Sequence, residues 1–386
     1  MRLRRLPLEG AHPPAWRSQF RECPGLGRAG FRGCGWRAAQ WKADMSTFIT
    51  GACGFVGLAL AEHLMWRGED VIGFDRAPLP PAALKAFDGL SGRFSMVVGD
   101  VRDADALRQA MALHRPQRLV TLAAITADAK RERATPGAIF DVNVGGVIAA
   151  LTAAVDCGVT RVLHASSGSV YGASGNGVAA LHEDSTPLRP EGLYGVSKQA
   201  AEGAALRLAA LHGFDLVVGR LGTCFGPWEA DTGVRDTLSA PLQVLRMAER
   251  GEPAVLPRDS RRDWLYVRDV AAAISALLDR PRLPHAVYNV AAGFLGSMST
   301  WCDAVAARHP HFAWHLAEAG EPANVDYYAP YDRAPMDIAR LRADTGFAPR
   351  FDLAAAAKDF LAWRERHGAA PCTAPRPAHS ASPVHA

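Results

Sequence analysis

Cysteine is scarce and scattered in this chain. The seven cysteines stand at positions 23, 34, 53, 157, 224, 302 and 372, an odd number with no Cys-x-x-Cys spacing. Such a set argues against a disulfide framework and against a zinc site, because both need paired or clustered thiols. We therefore expect no metal and a reducing compartment, and we predict a cytoplasmic protein.

Long apolar runs are also missing. No stretch of about 18 consecutive apolar residues occurs, so we expect no membrane-spanning segment. No apolar stretch follows the arginines near the N-terminus, which excludes a secretory signal. The composition is otherwise that of a globular protein, with 49% hydrophobic and 21% charged residues.

Positive charge is concentrated at the N-terminus. Residues 1–44 hold nine basic residues against three acidic ones, so a net charge of +4 for the whole chain becomes −2 for the remainder. Because the excess lies in this segment, we expect no nucleic-acid partner. Met45 opens a sequence typical of a first strand, so we predict that residues 1–44 are a disordered leader or an over-extended translation start. Residues 367–386 are rich in Ala, Pro, Ser and His, which predicts a disordered tail.

A glycine-rich turn near residue 50 comes first among the features that are present. The run 47–50 predicts a short strand, the run 51–57 a tight turn, and the apolar residues after it a helix. A turn of this kind leaves amide groups free at a helix N-terminus, which is a site for a phosphate. The spacing of Gly51, Gly54 and Gly57 differs from the commoner Gly-x-Gly-x-x-Gly of dinucleotide folds. The neighbouring motifs therefore have to show whether this turn binds a dinucleotide.

Strands and helices alternate along the chain. Apolar runs at 71–75, 94–100, 118–124, 161–166 and 216–220 predict further strands, and 138–157 and 193–211 predict two long helices. Such strands are typical of a parallel sheet that is covered on both faces, with right-handed crossovers. We therefore predict an α/β fold: a Rossmann-type doubly wound parallel sheet over residues 45–222, followed by a smaller C-terminal substrate-binding region over 223–366. Residues 288–290 are a candidate strand that returns to the main sheet.

An acidic residue, Asp75, ends the second predicted strand, 18 residues after Gly57. In a Rossmann unit a carboxylate at this place binds the adenosine ribose hydroxyls and repels a 2′-phosphate. This favours NAD over NADP as the cofactor, although Arg76 follows directly and can pair with a 2′-phosphate. The alternative interpretation of Asp75 is a turn residue that ends the strand.

Tyr194 and Lys198 are four residues apart on a predicted helix and so share a face. An ammonium group near a phenol favours the phenolate and lowers the Tyr pKa, which makes Tyr194 a candidate general base. The serine-rich run 166–169 follows a predicted strand, at the edge where open α/β sheets bind ligands. A serine hydroxyl from this run can hold the reacting oxygen.

Taken in order, these motifs resemble the extended short-chain dehydrogenases/reductases of the NAD-dependent epimerase/dehydratase type, a group that includes the nucleotide-sugar 4-epimerases. The resemblance covers about residues 46–350. It also rests on further matches in the same order, namely the run 99–103, Ala123-Ala124, Asn143, Val170-Tyr171-Gly172, Gly226-Pro227 and the run 262–270.

The resemblance implies a role for each matched position. Implied cofactor contacts are Gly51, Gly54, Phe55, Val56 and Gly57 around the pyrophosphate, Asp75 at the ribose, Asp100 and Val101 beside the adenine, and Ala123, Ala124, Asn143, Tyr194 and Lys198 along the cleft. At the reacting carbon it implies Ser167 as the catalytic hydroxyl, Tyr194 as the base and Lys198 as its electrostatic partner. Counting back from Tyr171 favours Ser167 over Ser166 and Ser169. Tyr171 itself is assigned no base role, because no lysine lies four residues after it.

Three departures from the family pattern bear on the reaction. The 4,6-dehydratases of the family resemble one another in a Thr-Asp-Glu run, whose acids remove water, where this chain has Ser-Gly-Ser at 167–169. Thr223 stands where nucleotide-sugar epimerases place a substrate-binding Asn. Arg262 matches one of two arginines that bind the substrate diphosphate in those epimerases, and Arg333 is the nearest candidate for the other.

The substrate side of the cleft is predicted from charge and from the resemblance together. The charged loop 228–236 contains a glycine and is expected to close over a polar substrate. Arg235 or Arg262 can bind a carboxylate or phosphate through two hydrogen bonds. Ser167, Ser169 and Thr223 complete the predicted substrate contacts.

The predicted function is NAD-dependent oxidation of a secondary hydroxyl of a sugar or sugar acid by Ser167, Tyr194 and Lys198. The missing Asn favours a dehydrogenase, and a UDP-sugar 4-epimerase with tightly held NAD is the alternative. An NAD(H)-sensing protein without catalysis is an alternative of another class, because fold does not fix function. The family resemblance and the small residues on the two long helices predict a homodimer.

Overall fold

A computed structural model describes residues 45–368, so the predictions for 1–44 and 369–386 lie outside the described residues. Its main sheet has seven parallel strands, in the spatial order β3-β2-β1-β4-β5-β6-β7. They are β1 (Ser46–Thr50), β2 (Asp70–Asp75), β3 (Phe94–Val98), β4 (Arg118–Thr121), β5 (Arg161–Ser167), β6 (Asp215–Leu221) and β7 (Val287–Val290). This is the doubly wound arrangement that the sequence predicts.

Helices cover the sheet and the C-terminal region. They are α1 (Phe55–Trp66), α2 (Pro81–Phe87), α3 (Ala104–His114), α4 (Ala129–Ala134), α5 (Pro136–Phe140), α6 (Gly146–Asp156), α7 (Leu193–His212), α8 (Ala240–Arg250), α9 (Val267–Leu278), α10 (Met298–Ala306), α11 (Ala339–Thr345) and α12 (Leu353–His367). The last helix includes His367, which the sequence assigned to a disordered tail. That assignment is wrong for this residue, because its imidazole stacks on Trp363 with ring centroids 4.8 Å apart.

Alternation along the strands builds two cores, one on each face of the sheet. Phe48, Leu119, Val162 and Val218 are buried with residues of α3, α6 and α7. The residue next to each of them points the other way and is buried with residues of α1 and α9. A strand with apolar residues at successive positions therefore stabilises both layers, and each fully buried side chain contributes roughly 1.5–3 kcal/mol.

The predicted helix at 138–157 is not one regular helix. It begins earlier, at Pro136, and a turn of π-helix at Asp141–Gly145 separates α5 from α6. By length and composition alone the segment Pro136–Asp156 could cross a membrane. In this fold, however, Ile139, Val147 and Leu151 are buried in the core of the protein.

Two predicted strands are shorter than expected. The strand predicted to reach residue 100 ends at Val98, and the one predicted to reach residue 124 ends at Thr121. The residues that follow the two strand ends, 99–101 and 122–125, line a cavity beyond the carboxyl edge of the sheet. The segments that follow the shortened strands therefore form part of the wall of the candidate site.

The C-terminal region contains short strand pairs and is joined to the main sheet. Thr223–Phe225 pairs with Trp264–Tyr266, Arg261–Arg262 with Gly296–Ser297, and Ala254–Leu256 with Trp314–Leu316. The predicted return of residues 288–290 to the main sheet is confirmed, because Tyr288 pairs with Gly219 of β6. The boundary predicted at residue 222 therefore does not divide two independent sheets.

Candidate functional site

A cleft follows the carboxyl ends of the main-sheet strands. It contains one cavity of about 220 Å³ and a second of about 270 Å³. The residues common to both are Gly51, Gly54, Leu122, Ala124, Thr232 and Val234. A third cavity, of about 60 Å³, shares Gly222, Thr223 and Arg333 with the second. The three form a row suited to an extended ligand beside a smaller one.

The glycine-rich turn forms the floor where the first two cavities meet. Gly51 has φ +71°, and a Cβ there would lie 2.6 Å from the backbone nitrogen of Ala123. At Gly57 a Cβ would lie 2.3 Å from the carbonyl oxygen of Gly51, so α1 packs directly on the turn. Both positions therefore require glycine if the turn is to stay this tight.

The start of α1 is open towards the second cavity, which Gly54, Phe55, Val56 and Gly57 all line. No side chain caps this helix. Within residues 45–368, the backbone amides of Phe55 and Val56 have no hydrogen-bond acceptor. Free amides and the helix dipole make this end an anion site, so the turn fits the pyrophosphate of a dinucleotide. That is the role predicted for these residues.

The first cavity has the character of an adenosine site. It is lined by Asp75, Asp100 and Val101, which the resemblance assigns to the adenosine end of the cofactor, and by Ala123 and Ala124, which it assigns to the cleft. The Asp75 carboxylate accepts backbone hydrogen bonds from Cys53 and Ala77, each at 3.0 Å. The guanidinium of Arg102 lies 2.7 Å from the Asp100 carboxylate, and this hydrogen bond lowers the pKa of that carboxyl. Both carboxylates are thus fixed in place beside the cavity.

Ser167, Tyr194 and Lys198 meet in the second cavity. β5 ends at Ser167, and the first turn of α7 carries Tyr194. Ser167 and Tyr194 line this cavity together, and the Ser167 hydroxyl accepts the backbone amide of Ser169 at 3.1 Å. Ser166 is only 2% exposed and its hydroxyl has no partner in the described chain, so Ser167 is the better placed of the two serines.

The protonation of Tyr194 differs from the sequence-based expectation. Burial raises the pKa of Tyr194, while the hydrogen bond from Ser167 and the positive charge of Arg235 lower it. The Lys198 ammonium instead donates to the carbonyl oxygen of Ala165. Burial lowers the pKa of Lys198 to about 8, against the opposing effect of Glu202. The positive charge that opposes burial at Tyr194 is that of Arg235, and the role of Lys198 as the electrostatic partner of Tyr194 stays a prediction.

Asn143 lies behind the cleft instead of lining it. Its side chain is fully buried and hydrogen-bonds both the amide and the carbonyl of Ile125, at 2.7 and 3.0 Å. It also donates to the Ser197 hydroxyl at 2.9 Å. The predicted direct cofactor contact is corrected to a positioning role: Asn143 ties the loop after β4 to the helix that carries Tyr194. The π-helical turn aims this side chain inward, and periodicity alone did not reveal it.

The substrate end combines predicted and overlooked residues. Ser169, Thr223 and Arg235 line the second cavity, and Thr223 and Arg262 line the third. Arg262 is held by Asp332, with Nε 3.3 Å from the carboxylate, and lies over the ring of Tyr327. Arg333, the nearest candidate from the sequence for the second arginine, lines both cavities, and its Nη1 would lie 3.3 Å from a Cβ on Gly168.

Residues 228–239, called the strap below, cross the cleft opposite the glycine turn. Thr232 and Val234 of the strap line both of the larger cavities. Arg235 lies over the ring of Phe55, 5.2 Å from its centroid, and its guanidinium is 3.0 Å from Glu229. The loop predicted to cover a substrate therefore also covers the predicted cofactor site.

Comparison with known proteins relates most of the chain to one protein family. Residues 47–291 match the NAD dependent epimerase/dehydratase family. Sterol demethylase protein B of Methylococcus capsulatus is 34% identical over 236 residues, which are 61% of this chain and 66% of that protein.

Two solved structures are similar over nearly their whole length. MoeE5 in complex with UDP-glucuronic acid and NAD has a TM-score of 0.66 at 27% identity, covering 83% of this chain and 99% of that one. The UDP-glucose 4-epimerase of Thermus thermophilus, in complex with NAD, has a TM-score of 0.67 at 26% identity, covering 84% of this chain and all of the other.

Proposed function

Because the chain belongs to the NAD dependent epimerase/dehydratase family, we propose that it is an NAD-dependent oxidoreductase that acts on a secondary hydroxyl of a sugar or sugar acid. The observation that carries the proposal is the meeting of Ser167 and Tyr194 in one cavity. That cavity is bounded by the open end of α1 on one side and by Thr223 and Arg333 on the other. A cofactor and a hydroxyl substrate can therefore lie on either side of the same phenol.

Each residue of the site has a separate role in the oxidation of an alcohol. NAD, when bound, supplies the hydride acceptor. Ser167 holds the substrate hydroxyl by a hydrogen bond, and Tyr194 takes its proton. Arg235 favours the phenolate that this transfer needs, because its positive charge opposes burial, which raises the pKa of Tyr194. Lys198, fixed on the Ala165 carbonyl oxygen, lies at the base of the same cavity, where its ammonium can contact the cofactor.

Loss of water is not part of the proposal. A dehydratase of this family needs an acid at the position of Gly168. Here a Cβ on Gly168 would lie 2.7 Å from the Met336 sulfur and 3.3 Å from the Arg333 guanidinium. A side chain therefore fits only if these neighbours move, and an arginine occupies the space instead of a carboxyl group.

Arginines support an acidic or phosphorylated substrate. Arg235 and Arg333 line the second cavity together with Lys198, and no acidic residue of the described chain lines it. MoeE5 binds UDP-glucuronic acid, a sugar acid attached to a diphosphate. Arg262 and Arg333 line the third cavity together with Glu191 and Asp263, and the two guanidinium groups can bind such a diphosphate. The substrate class proposed is thus a sugar acid or a nucleotide sugar.

Epimerisation is the second candidate, and the strap favours it. An epimerase keeps its cofactor through the reaction and returns the hydride to the other face of the same substrate. The strap lies across both cavities of the cofactor cleft, which suits a cofactor that does not exchange at each turnover. A protein that binds NAD(H) as a sensor and has no catalytic activity is the alternative from another functional class.

The test is incubation of the purified full chain with NAD and a panel of sugar acids and UDP-sugars, with a steroid alcohol added because of the sterol-related relative. Growth of NADH absorbance with turnover supports the dehydrogenase, and an isomerised product without net NADH supports the epimerase. Tyr194→Phe should lower kcat by about 10² to 10⁴ while leaving NAD binding unchanged. Tyr328→Phe is the matched control, since Tyr328 is 48% exposed and lines neither large cavity. NAD binding with no turnover of any panel member would support the sensor.

A further inference from the structure

The two ends of the strap are anchored by buried contacts. Trp228 adopts φ +71° and packs edge-on against Trp363, with ring centroids 4.9 Å apart. At the other end, the amide and hydroxyl of Ser239 donate to the Glu229 carboxylate at 2.8 and 2.6 Å. Any opening of the cleft must therefore come from the middle of the strap and not from its ends.

The middle of the strap pairs with the loop after β4. The amide of Thr126 donates to the Val234 carbonyl, and the amide of Asp236 donates to the Thr126 carbonyl, each at 3.0 Å. These bonds form a single isolated bridge. Two backbone hydrogen bonds at the surface of a protein contribute only about 1 kcal/mol each, so they do not hold the strap firmly by themselves.

A charged contact reinforces the bridge at the same place. The Arg131 guanidinium donates to the Asp236 carboxylate through two nitrogens, with one distance of 2.8 Å, and to the Gly233 carbonyl at 2.6 Å. The Asp236 side chain is only 4% exposed, and the amide of Asp128 also donates to it, at 3.3 Å. A two-nitrogen contact to a buried carboxylate is a strong and directional form of ion pair.

This contact and the contact of Arg235 with Phe55 hold the strap on opposite walls of the cleft. Arg131 belongs to α4, on the wall that follows β4, whereas Arg235 of the strap lies over Phe55 on the opposite wall. The strap therefore spans the cleft above the open end of α1, where the pyrophosphate is expected. Thr232 and Val234, which precede both contacts along the strap, line both cavities.

We propose that Arg131 and Asp236 are positioning residues that hold the strap over the cofactor and so slow its release from the cleft. This rests on the proposed function only in that NAD occupies the cleft. With the pair broken, the middle of the strap keeps only its two backbone bonds to Thr126 and the contacts of Arg235, and release becomes faster.

The experiment measures NAD release and needs no sugar substrate. NAD-loaded full-length protein is mixed with excess competing ADP-ribose, and the release rate is followed by the change in protein fluorescence. Arg131→Ala and Asp236→Asn should each raise the release rate at least tenfold, and the double variant should add little to either. Arg131→Lys, which keeps the charge but loses the two-nitrogen contact, should lie between wild type and Arg131→Ala.

Arg133→Ala is the matched control, because Arg133 lies on the same helix and is exposed. Its release rate should equal that of the wild type. The proposal is overturned if the Arg131 and Asp236 variants, shown to be folded by circular dichroism, release NAD as slowly as wild type. It is also overturned if the wild type releases NAD within the mixing time. A protein that retains NAD in this way but turns over no member of the substrate panel would refute the proposed function alone.

Discussion

The carboxylate of Asp75 accepts a hydrogen bond at 3.0 Å from the backbone amide of Cys53, which ties the end of β2 to the middle of the glycine-rich turn. The second carboxylate oxygen accepts the amide of Ala77, also at 3.0 Å. One side chain therefore shapes the turn and places a negative charge in the adenosine cavity.

Asp75→Asn should separate these two functions. The amide oxygen keeps one backbone hydrogen bond, but the negative charge that repels a 2′-phosphate is lost. With Arg76 alongside, we expect the preference for NAD over NADP to fall about tenfold or more, a change of about 1.4 kcal/mol. Titration with each cofactor, followed by fluorescence, gives the ratio of the two Kd values. Asp88→Asn, which alters an exposed carboxylate outside the cleft, should leave this ratio unchanged.

The stability of the protein should depend on the charge of Lys198. Burial lowers the pKa of this lysine to about 8 in the folded protein, whereas an unfolded lysine titrates near 10.5. Below pH 8 both states are charged and the burial cost is present in full. Between pH 8 and 10.5 the folded protein loses its proton first, so the cost disappears.

Comparison of wild type with Lys198→Met by urea denaturation tests this. The free energy of unfolding of the wild type should rise relative to that of the variant by about 2 to 3 kcal/mol between pH 8 and 10.5. A constant difference across this range would mean that Lys198 is not perturbed in the folded protein. Turnover by the variant should be lost at every pH.

Gly51 and Gly158 provide a matched pair for the glycine-rich turn. Both have φ +71°, but a Cβ would lie 2.6 Å from backbone at Gly51 and would meet nothing within 4 Å at Gly158. Gly158→Ala should cost about 1 kcal/mol, from backbone conformation alone. Gly51→Ala should cost about 2 to 4 kcal/mol and abolish NAD binding. Equal costs in thermal or urea unfolding would show that the contact with Ala123 does not limit the turn.

The predicted homodimer can be tested on α6. Ile148 on this helix is 39% exposed, and Val196 on α7 is 37% exposed. If these helices form the dimer interface, Ile148→Glu places a charge in it, and light scattering should show the mass shift from dimer to monomer. Leu113→Glu is the control, since Leu113 is 77% exposed on α3. A wild-type protein of monomeric mass contradicts the predicted dimer directly.

Patterns within a few residues of one another predicted most of the fold. The strand runs, the glycine spacing, Asp75 at a strand end and the i, i+4 pair of Tyr194 and Lys198 are all local. They follow from alternation, from the φ angles that glycine allows and from helix periodicity. The predicted return of residues 288–290 to the sheet also rests on a short apolar run.

Contacts between distant segments were not predictable in the same way. The pairing of the strap with Thr126, the ion pair of Arg131 with Asp236 and the position of Arg333 next to Gly168 each join segments about 100 or more residues apart. The pKa of Tyr194 also depends on such contacts, because Arg235 reaches it from the strap. For Lys198, spacing predicted a shared helix face, but the position of its ammonium group depends on where β5 places the Ala165 carbonyl.

The pairing of β7 with β6 has a consequence for how the protein can be divided. β7 comes from the region that follows the strap, yet it completes the sheet that carries the glycine turn. A fragment ending at residue 222 would lose the pairing of residues 218–221 with β7 and leave them along an open sheet edge, which promotes self-association. The cofactor-binding half therefore cannot be moved into another protein by itself. The cofactor and substrate sites have to be expressed and exchanged as one unit.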